Sequence, residues 1–259
     1  MPPPRLYCIP ATAADVVAVV RRGPTDWCRL GRWDVAAGTY EPGPWLRGTI
    51  YPERCDLSPD GNYFAYFAMK ASAQWELGPT YVVISRLPQL TALAAWGTGG
   101  TWTRGIHFVE DASVREVDAP EHGSLPADLA AGIAVTRAAS YAVERRSGWV
   151  EAPGSPPRAE NDMWDERRAH DLRMRKAQPG GAALLEVHGG YGAFRTRVFS
   201  YEIVYLVDGT PLDANWADWS RDGRLLVATS AGELQTRDAS DWTRPATVVA
   251  DLSLEAPDR

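Results

Sequence analysis

One stretch of the chain, residues 215–238, constrains the fold more than any other. It reads NWADWSRDGRLLVATSAGELQTRD and contains two turn signals, Asp222-Gly223 and Ser230-Ala231-Gly232. Asp-Gly favours a tight turn because glycine accepts a positive φ without steric cost and aspartate can bond its own backbone. The apolar run from Leu225 to Thr229 is typical of a short strand buried on both faces. Glu233 to Asp238 then alternates polar and apolar residues, which predicts a half-exposed strand.

This stretch is part of a repeat. Together with a further turn and strand in residues 241–252, it predicts four antiparallel strands in about 38 residues, which is one sheet unit. A second copy starts near Arg54: residues 56–61 read DLSPDG and residues 218–223 read DWSRDG, and an apolar strand follows each. The two copies begin 162 positions apart, close to four repeats of about 40 residues.

The two copies resemble the repeat of TolB-like or WD40-like (PD40) β-propellers, in which a hydrophobic-Ser-Pro-Asp-Gly turn precedes a buried strand. Residues 56–67 match this pattern well, and residues 218–229 match it with Arg221 in place of proline. The resemblance covers a small part of the chain and implies an architecture, with no catalytic residue attached to it. It implies an all-β fold over residues 1–259: a single β-propeller domain of antiparallel strands with five blades, or six as the alternative.

Other segments contribute less regular blades. Residues 1–10 are rich in proline and form either a disordered lead or, at Leu6 to Ile9, a strand that closes the ring. Asp15 to Arg22 is an apolar strand. Ile133 to Val143 and Trp149 to Glu151 flank a glycine-containing turn, which predicts a hairpin.

Residues 153–181 depart from the repeat. Pro153 to Pro157 is a linker, and the segment from Glu160 to Lys176 carries acidic residues in its first half and basic residues in its second. That order of charges suits a helix dipole. Leu172 and Met174 alternate with arginines, which suits a strand instead. We predict a short helix followed by a strand, as an irregular insertion in the propeller.

Composition excludes several classes of function. The chain has 27 basic and 33 acidic residues and a formal charge of −6, so it lacks the electrostatic footprint of a nucleic-acid-binding protein. Three cysteines without regular spacing form neither a disulfide framework nor a zinc pattern, and we expect reduced core thiols. The first residues contain no long apolar stretch. We therefore expect a cytoplasmic, soluble protein that does not bind a membrane.

Two short patterns could carry chemistry. Residues 188–192, HGGYG, are similar to a glycine-rich oxyanion loop, but no G-x-S-x-G sequence accompanies them, so a tight turn is favoured. Asp162, Glu166 and His170 would share one face of a helix and could hold a divalent metal, yet a solvated polar face has the same pattern. His107 with Glu110 and Asp111 is similarly ambiguous. We predict no metal and no cofactor.

The absence of a catalytic pattern favours a non-enzymatic protein–protein interaction or scaffold module. The insertion at 153–181 is the predicted partner-binding element, because loops on a rigid scaffold commonly carry function. The alternative is a propeller hydrolase, or a carbohydrate or small-ligand binder, that uses carboxylates and exposed tryptophans from among Trp102, Trp149, Trp164 and Trp216. The predicted binding residues are Trp102, Trp164, Arg167, Arg168, His170, Arg173, His188 and Tyr191.

Overall fold

The computed structural model describes residues 3–23, 26–70, 76–101, 105–135, 142–153, 173–188 and 204–257. The prediction of an all-β protein is confirmed, since the described chain forms several antiparallel sheets and almost no helix. Helical structure in this part of the chain is limited to a 3-10 turn at Pro52–Arg54 and one α-helix, α1, at Ala142–Arg146. Within the same ranges no helix is long and apolar enough to cross a membrane.

The chain divides into two compact units. Unit 1 comprises residues 1–137 together with residues 252–259, and unit 2 comprises residues 138–251. Each unit has its own sheets and its own buried side chains.

The first sheet of unit 1 is a four-stranded meander in chain order. Its strands are β1 (Arg5–Pro10), β2 (Val16–Arg22), β3 (Trp27–Asp34) and β4 (Thr39–Arg47). The sequence VVAVV in β2 is entirely buried, which is the pattern of a strand covered on both faces. The proline-rich start of the chain is therefore a strand from Arg5 onward, and it pairs with β2.

Two further sheets complete unit 1. The second sheet consists of β5 (Thr49–Ile50), β6 (Asp56–Leu57), β7 (Tyr63–Met69), β8 (Thr80–Arg86), β9 (Ala94–Gly97) and β11 (His122–Gly123). The third sheet pairs β10 (Ile106–Val109) with β12 (Gly132–Val135). Strands β6 and β7 lie against β10, and β1 lies against β6. The core between the sheets is rich in large side chains, among them Trp33, Phe64, Phe67, Ile84 and Ile133.

Unit 2 contains the fourth and fifth sheets. The fourth sheet consists of β13 (Val150–Glu151), β14 (Arg173–Ala177), β15 (Leu184–His188), β16 (Val204–Val207) and β17 (Thr210–Pro211). The fifth sheet consists of β18 (Trp216–Trp219), β19 (Leu225–Ala228), β20 (Glu233–Arg237) and β21 (Thr247–Asp251). The four strands predicted for the organising stretch are thus all present.

The turn that defined the repeat has the same hydrogen bond in both copies. The Gly61 N–H donates to the carbonyl oxygen of Ser58 at 2.8 Å, and the Gly223 N–H donates to that of Ser220 at 3.0 Å. Both glycines have positive φ, at 73° and 83°, a conformation that is costly for other residues. At 178–181 the Gly181 N–H also donates to the Gln178 carbonyl, at 3.3 Å, but the positive φ of 67° belongs to Gly180, so this turn has a different backbone conformation.

Two expectations about local structure are wrong. Ile133 pairs with Phe108 of β10, and Val150 pairs with Arg175 of β14, so the predicted hairpin of Ile133 to Val143 with Trp149 to Glu151 does not form. The reason is that residues 142–146, AVERR, form α1, in which alanine, glutamate and the two arginines favour a helix. Trp149 and Trp216 are buried, so neither is an exposed stacking platform.

Candidate functional site

Two of the predicted binding residues come together on the fourth sheet. Arg173 opens β14 and His188 ends β15, and the two are direct cross-strand partners. The predicted insertion contributes Arg173 to Ala177 as a strand, as expected for its second half. The remaining predicted residues, Trp102, Trp164, Arg167, Arg168, His170 and Tyr191, lie outside the described residues, as do Asp162 and Glu166 of the possible metal stripe.

Strand register assigns the side chains of this sheet to two faces. Residues that are direct partners in an antiparallel pair project from the same face, and the next residue along each strand projects from the opposite one. Arg175 is the direct partner of Val150 on β13 and of Glu186 on β15. His188 is the direct partner of Val204 on β16. One face, here called the open face, therefore carries Val150, Arg173, Arg175, Glu186, His188, Val204 and Leu206.

The opposite face is buried and mostly apolar. It carries Met174, Leu185, Val187, Tyr205 and Val207, together with Lys176, the direct partner of Leu185. The sequence produces this division through a period of two, since Leu185 and Val187 in β15 alternate with the more accessible Leu184, Glu186 and His188. The open face is consequently held on a sheet whose other side is anchored in the core of unit 2.

The open face combines apolar and cationic groups. Val150 and Val204 are two of the five large hydrophobic side chains that are exposed in the described chain; the others are Val135, Val248 and Leu254. Val150 and Val204 lie on β13 and β16, and on β14 between them Arg173 is exposed and Arg175 is half-buried. Glu186 is the acidic residue among the described residues of the open face, and its Oε1 lies 3.9 Å from His188 Nε2. On the described part of this face, Arg173 and Arg175 are thus basic and Glu186 is acidic.

A buried ion pair joins the fourth and fifth sheets behind the open face. Lys176 Nζ donates to Asp218 Oδ1 at 2.7 Å, and the Trp219 indole N–H donates to the Lys176 carbonyl at 3.2 Å. Burial raises the pKa of the Asp218 carboxyl, although Lys176 and hydrogen bonds from the Trp219 backbone and Trp149 act to lower it. Desolvation thus outweighs the attraction of the lysine for this group.

A buried carboxylate also joins two sheets in unit 1. Asp56, the first residue of the other repeat copy, accepts a hydrogen bond at Oδ2 from the Phe108 backbone N–H of β10 at 2.8 Å. His107 Nδ1 lies 3.7 Å from the same oxygen, and both side chains are buried. His107 therefore belongs to an interior contact with Asp56, as a structural histidine does. The sequence signal that could have identified Asp56 and Asp218 is the leading aspartate of the repeated pattern.

Unit 1 also contains a surface pocket of about 340 Å³ between the second and third sheets. Its apolar wall is formed by Val82, Trp96, Ile106 and Val135, and its rim includes Arg115, Glu116 and Asp118. The Trp96 indole N–H is fixed by the Asp118 carbonyl at 2.9 Å. The volume is near the lower end of the range for small-molecule sites.

Among the described residues, no group of three or more His, Cys, Asp or Glu side chains could hold a metal ion. The three cysteines are free and buried, which confirms the expectation of core thiols.

No family model, curated protein or solved structure matches this chain.

Proposed function

We propose that this chain is a non-enzymatic protein-binding module whose partner docks on the open face of the fourth sheet. The observation that carries the proposal is the composition of that face, where two exposed valines lie among arginines and a histidine on a sheet that is buried behind. Exposed apolar groups that are grouped on one surface commonly mark an interaction site. Arginine is also enriched at protein interfaces.

We further propose that the five antiparallel sheets are blades of a β-propeller. Similar register in four sheets supports a common repeat. Ile9 pairs with Ala18, Asp56 with Ala65 and Lys176 with Leu185, each nine positions ahead, and Asp218 pairs with Leu226, eight positions ahead. The Asp-Gly turn follows Asp56 and Asp218 with the same backbone hydrogen bond in both. Meanders of four strands joined by tight turns are typical of propeller blades.

The open face departs from what a blade requires. A blade packs both faces on neighbouring sheets, and β18 and β19 of the fifth sheet are accordingly buried along their whole length. In the fourth sheet, β14, β15 and β16 alternate between buried and accessible positions. We attribute this difference to partner binding.

The partner's chemistry follows from the charges. A segment with apolar side chains flanked by aspartate or glutamate would cover Val150 and Val204 and would complement Arg175. Charge pairs at the rim of such an interface mainly speed association and confer salt dependence. We therefore expect an acidic partner whose binding weakens as the salt concentration rises.

The test compares two matched valines. Val204 is 46% exposed on the open face, and Val248 is 50% exposed on β21 of the fifth sheet. Val204→Asp should abolish binding of a partner captured by the wild type and then purified, whereas Val248→Asp should bind like the wild type. Both substitutions should change the free energy of unfolding by no more than about 0.5 kcal/mol, since they are at accessible positions. Calorimetric titration of each protein with the purified partner gives the affinities, and urea unfolding gives the stabilities.

Two results would contradict the proposal. One is equal partner binding by the wild type and Val204→Asp. The other is a loss of about 2 kcal/mol or more in Val204→Asp, which is the cost of placing a charge in a packed interior and would mean that this chain covers its own open face.

A second candidate function is binding of a small ligand or carbohydrate. The pocket beside Trp96 favours it, because an indole wall with carboxylates at the rim suits a ligand that has both an apolar face and hydrogen-bonding groups.

A further inference from the structure

The segment 252–257 is attached to the first sheet without being a strand of it. It follows β21, belongs to unit 1 and has no β pairing. Leu252 is 1% exposed, whereas Leu254 is 87% exposed. The segment is thus anchored at selected side chains, in the manner of a bound peptide.

Arg21 of β2 recognises the backbone of this segment. Its Nε donates to the Leu252 carbonyl at 2.9 Å, and its Nη2 donates to the Glu255 carbonyl at 2.7 Å. The third donor, Nη1, is held by the Gly23 carbonyl. Arg21 is buried, so these carbonyls replace the water that its guanidinium would otherwise bind.

Arg29 of β3 recognises the acidic side chain. Its Nη1 lies 3.1 Å from Glu255 Oε1, and its Nε donates to the Gly43 carbonyl at 2.8 Å. The Trp45 ring lies beside both guanidinium groups, with Arg21 at 5.2 Å and Arg29 at 5.3 Å from its centroid. Trp45 therefore fixes the spacing of the two arginines through cation–π contacts.

The site is electrostatically incomplete without an acidic segment. Among the described residues, Glu255 is the acid within ion-pair distance of Arg21 and Arg29. Without it, two neighbouring cations, one of them buried, would lack a counter-charge. Removing one partner of a buried charged contact is strongly unfavourable.

We propose that Arg21, Arg29 and Trp45 form a peptide-binding site for segments of the form Leu-x-x-Glu, and that residues 252–255 occupy it as an intramolecular ligand. Leu252 is the buried anchor, the two backbone carbonyls accept from Arg21, and the glutamate pairs with Arg29. An acidic segment of a partner protein with the same spacing competes with residues 252–255 for this site. The proposal is independent of the open face, which lies in unit 2.

The experiment uses the full chain with Leu252→Ser and Glu255→Gln together, here called the release variant. Two labelled peptides serve as probes, one with the sequence of residues 250–257 and one in which its glutamate is lysine. Fluorescence anisotropy should show the release variant binding the glutamate peptide at least about tenfold more tightly than the lysine peptide. The wild type should bind the glutamate peptide at least about tenfold more weakly than the release variant does, because its own segment competes at an effective concentration on the order of millimolar.

If the release variant is only marginally folded, its midpoint of thermal unfolding still reports whether a peptide binds. A ligand that binds the native state raises the midpoint of unfolding, so the glutamate peptide should raise it for the release variant and the lysine peptide should not. Equal affinity of wild type and release variant for the glutamate peptide would overturn the proposal. A folded release variant that fails to distinguish the two peptides would overturn it as well.

Discussion

Replacing Lys176 by methionine tests the ion pair on which the open face is built. Methionine keeps most of the length of the side chain and removes its charge. Asp218 then remains in the interior between the fourth and fifth sheets without its cation. Its side chain is 3% exposed, whereas that of Lys176 is 16% exposed. The carboxylate therefore cannot reach water, and the lysine partly can.

The expected cost follows from this asymmetry. Breaking a buried ion pair by removing one partner typically costs about 3–5 kcal/mol. We expect Lys176→Met to lose about 3 kcal/mol of unfolding free energy at pH 8. Asp218→Asn should cost less, since the more accessible lysine can turn its ammonium toward solvent. The double variant Lys176→Met, Asp218→Asn should recover most of the loss, because no uncompensated charge stays buried.

The pH dependence has a definite sign. Burial already raises the pKa of Asp218 above its ordinary value in the native state, and removal of Lys176 takes away a group that lowers it. An acid whose native pKa is raised binds more protons in the native than in the unfolded state, so its contribution to stability falls as pH rises. That contribution is fully present below the unfolded pKa, near 3.9, and is lost as pH rises through the native pKa. The deficit of Lys176→Met relative to wild type should therefore be larger at pH 8 than at pH 5.

Urea unfolding of the wild type, both single variants and the double variant, monitored by tryptophan fluorescence at pH 5 and pH 8, measures these differences. Taking differences between variants at one pH removes the contribution of the other carboxylates. A loss below about 1 kcal/mol in Lys176→Met that is the same at both pH values would refute the reasoning, since a desolvated and unpaired Asp218 requires a larger, pH-dependent loss.

Two further predictions concern the turn and the core. Gly223 and Gly209 both have positive φ but differ in the space around them. A Cβ added to Gly223 would lie 2.5 Å from the Pro179 carbonyl oxygen, whereas a Cβ added to Gly209 would have no surrounding atom within 4 Å. Gly223→Ala should therefore lose about 1–3 kcal/mol more unfolding free energy than Gly209→Ala, and equal losses in urea titrations would contradict the contact. Burial raises the pKa of the Cys8, Cys28 and Cys55 thiols. None of the three should therefore react with a disulfide reagent in native buffer at pH 8, and all three should react after unfolding. Rapid modification of the native protein would contradict this, because it would show that a thiol is accessible.

The sequence was most informative where structure is determined locally. The glycine turns at Gly61 and Gly223 and the strands on either side follow from short-range preferences, and these elements form where they were expected. The turn at 178–181 was not predicted, because Gln178 and Gly180 stand where the pattern has serine and aspartate, yet the Gly181 N–H still donates to the Gln178 carbonyl. A hydrogen bond between backbone groups survives such substitutions, while a sequence pattern does not.

The open face could be predicted only in part. The period of two in β14 and β15 indicates that Arg173 and His188 each project from an accessible side of a strand. The pairing of Arg173 with His188, and of His188 with Val204, depends on strand register. Register is determined by burial of the opposite face and by turn geometry. Neither can be inferred from the sequence for segments that are separated by long intervening stretches.

Corresponding positions before a turn in four sheets carry different chemistry. Ile9, Asp56 and Lys176 each pair with the residue nine positions ahead, and Asp218 pairs with the residue eight positions ahead. The isoleucine is an apolar contact, Asp56 accepts from the β10 backbone, and the lysine pairs with Asp218 in the fifth sheet. A polar group buried between sheets is stable only when its partner is present, so a change at one of these positions requires a matching change across the contact. Lys176 with Asp218 has this complementary form, since the lysine on the fourth sheet supplies the cation that the buried aspartate on the fifth sheet needs.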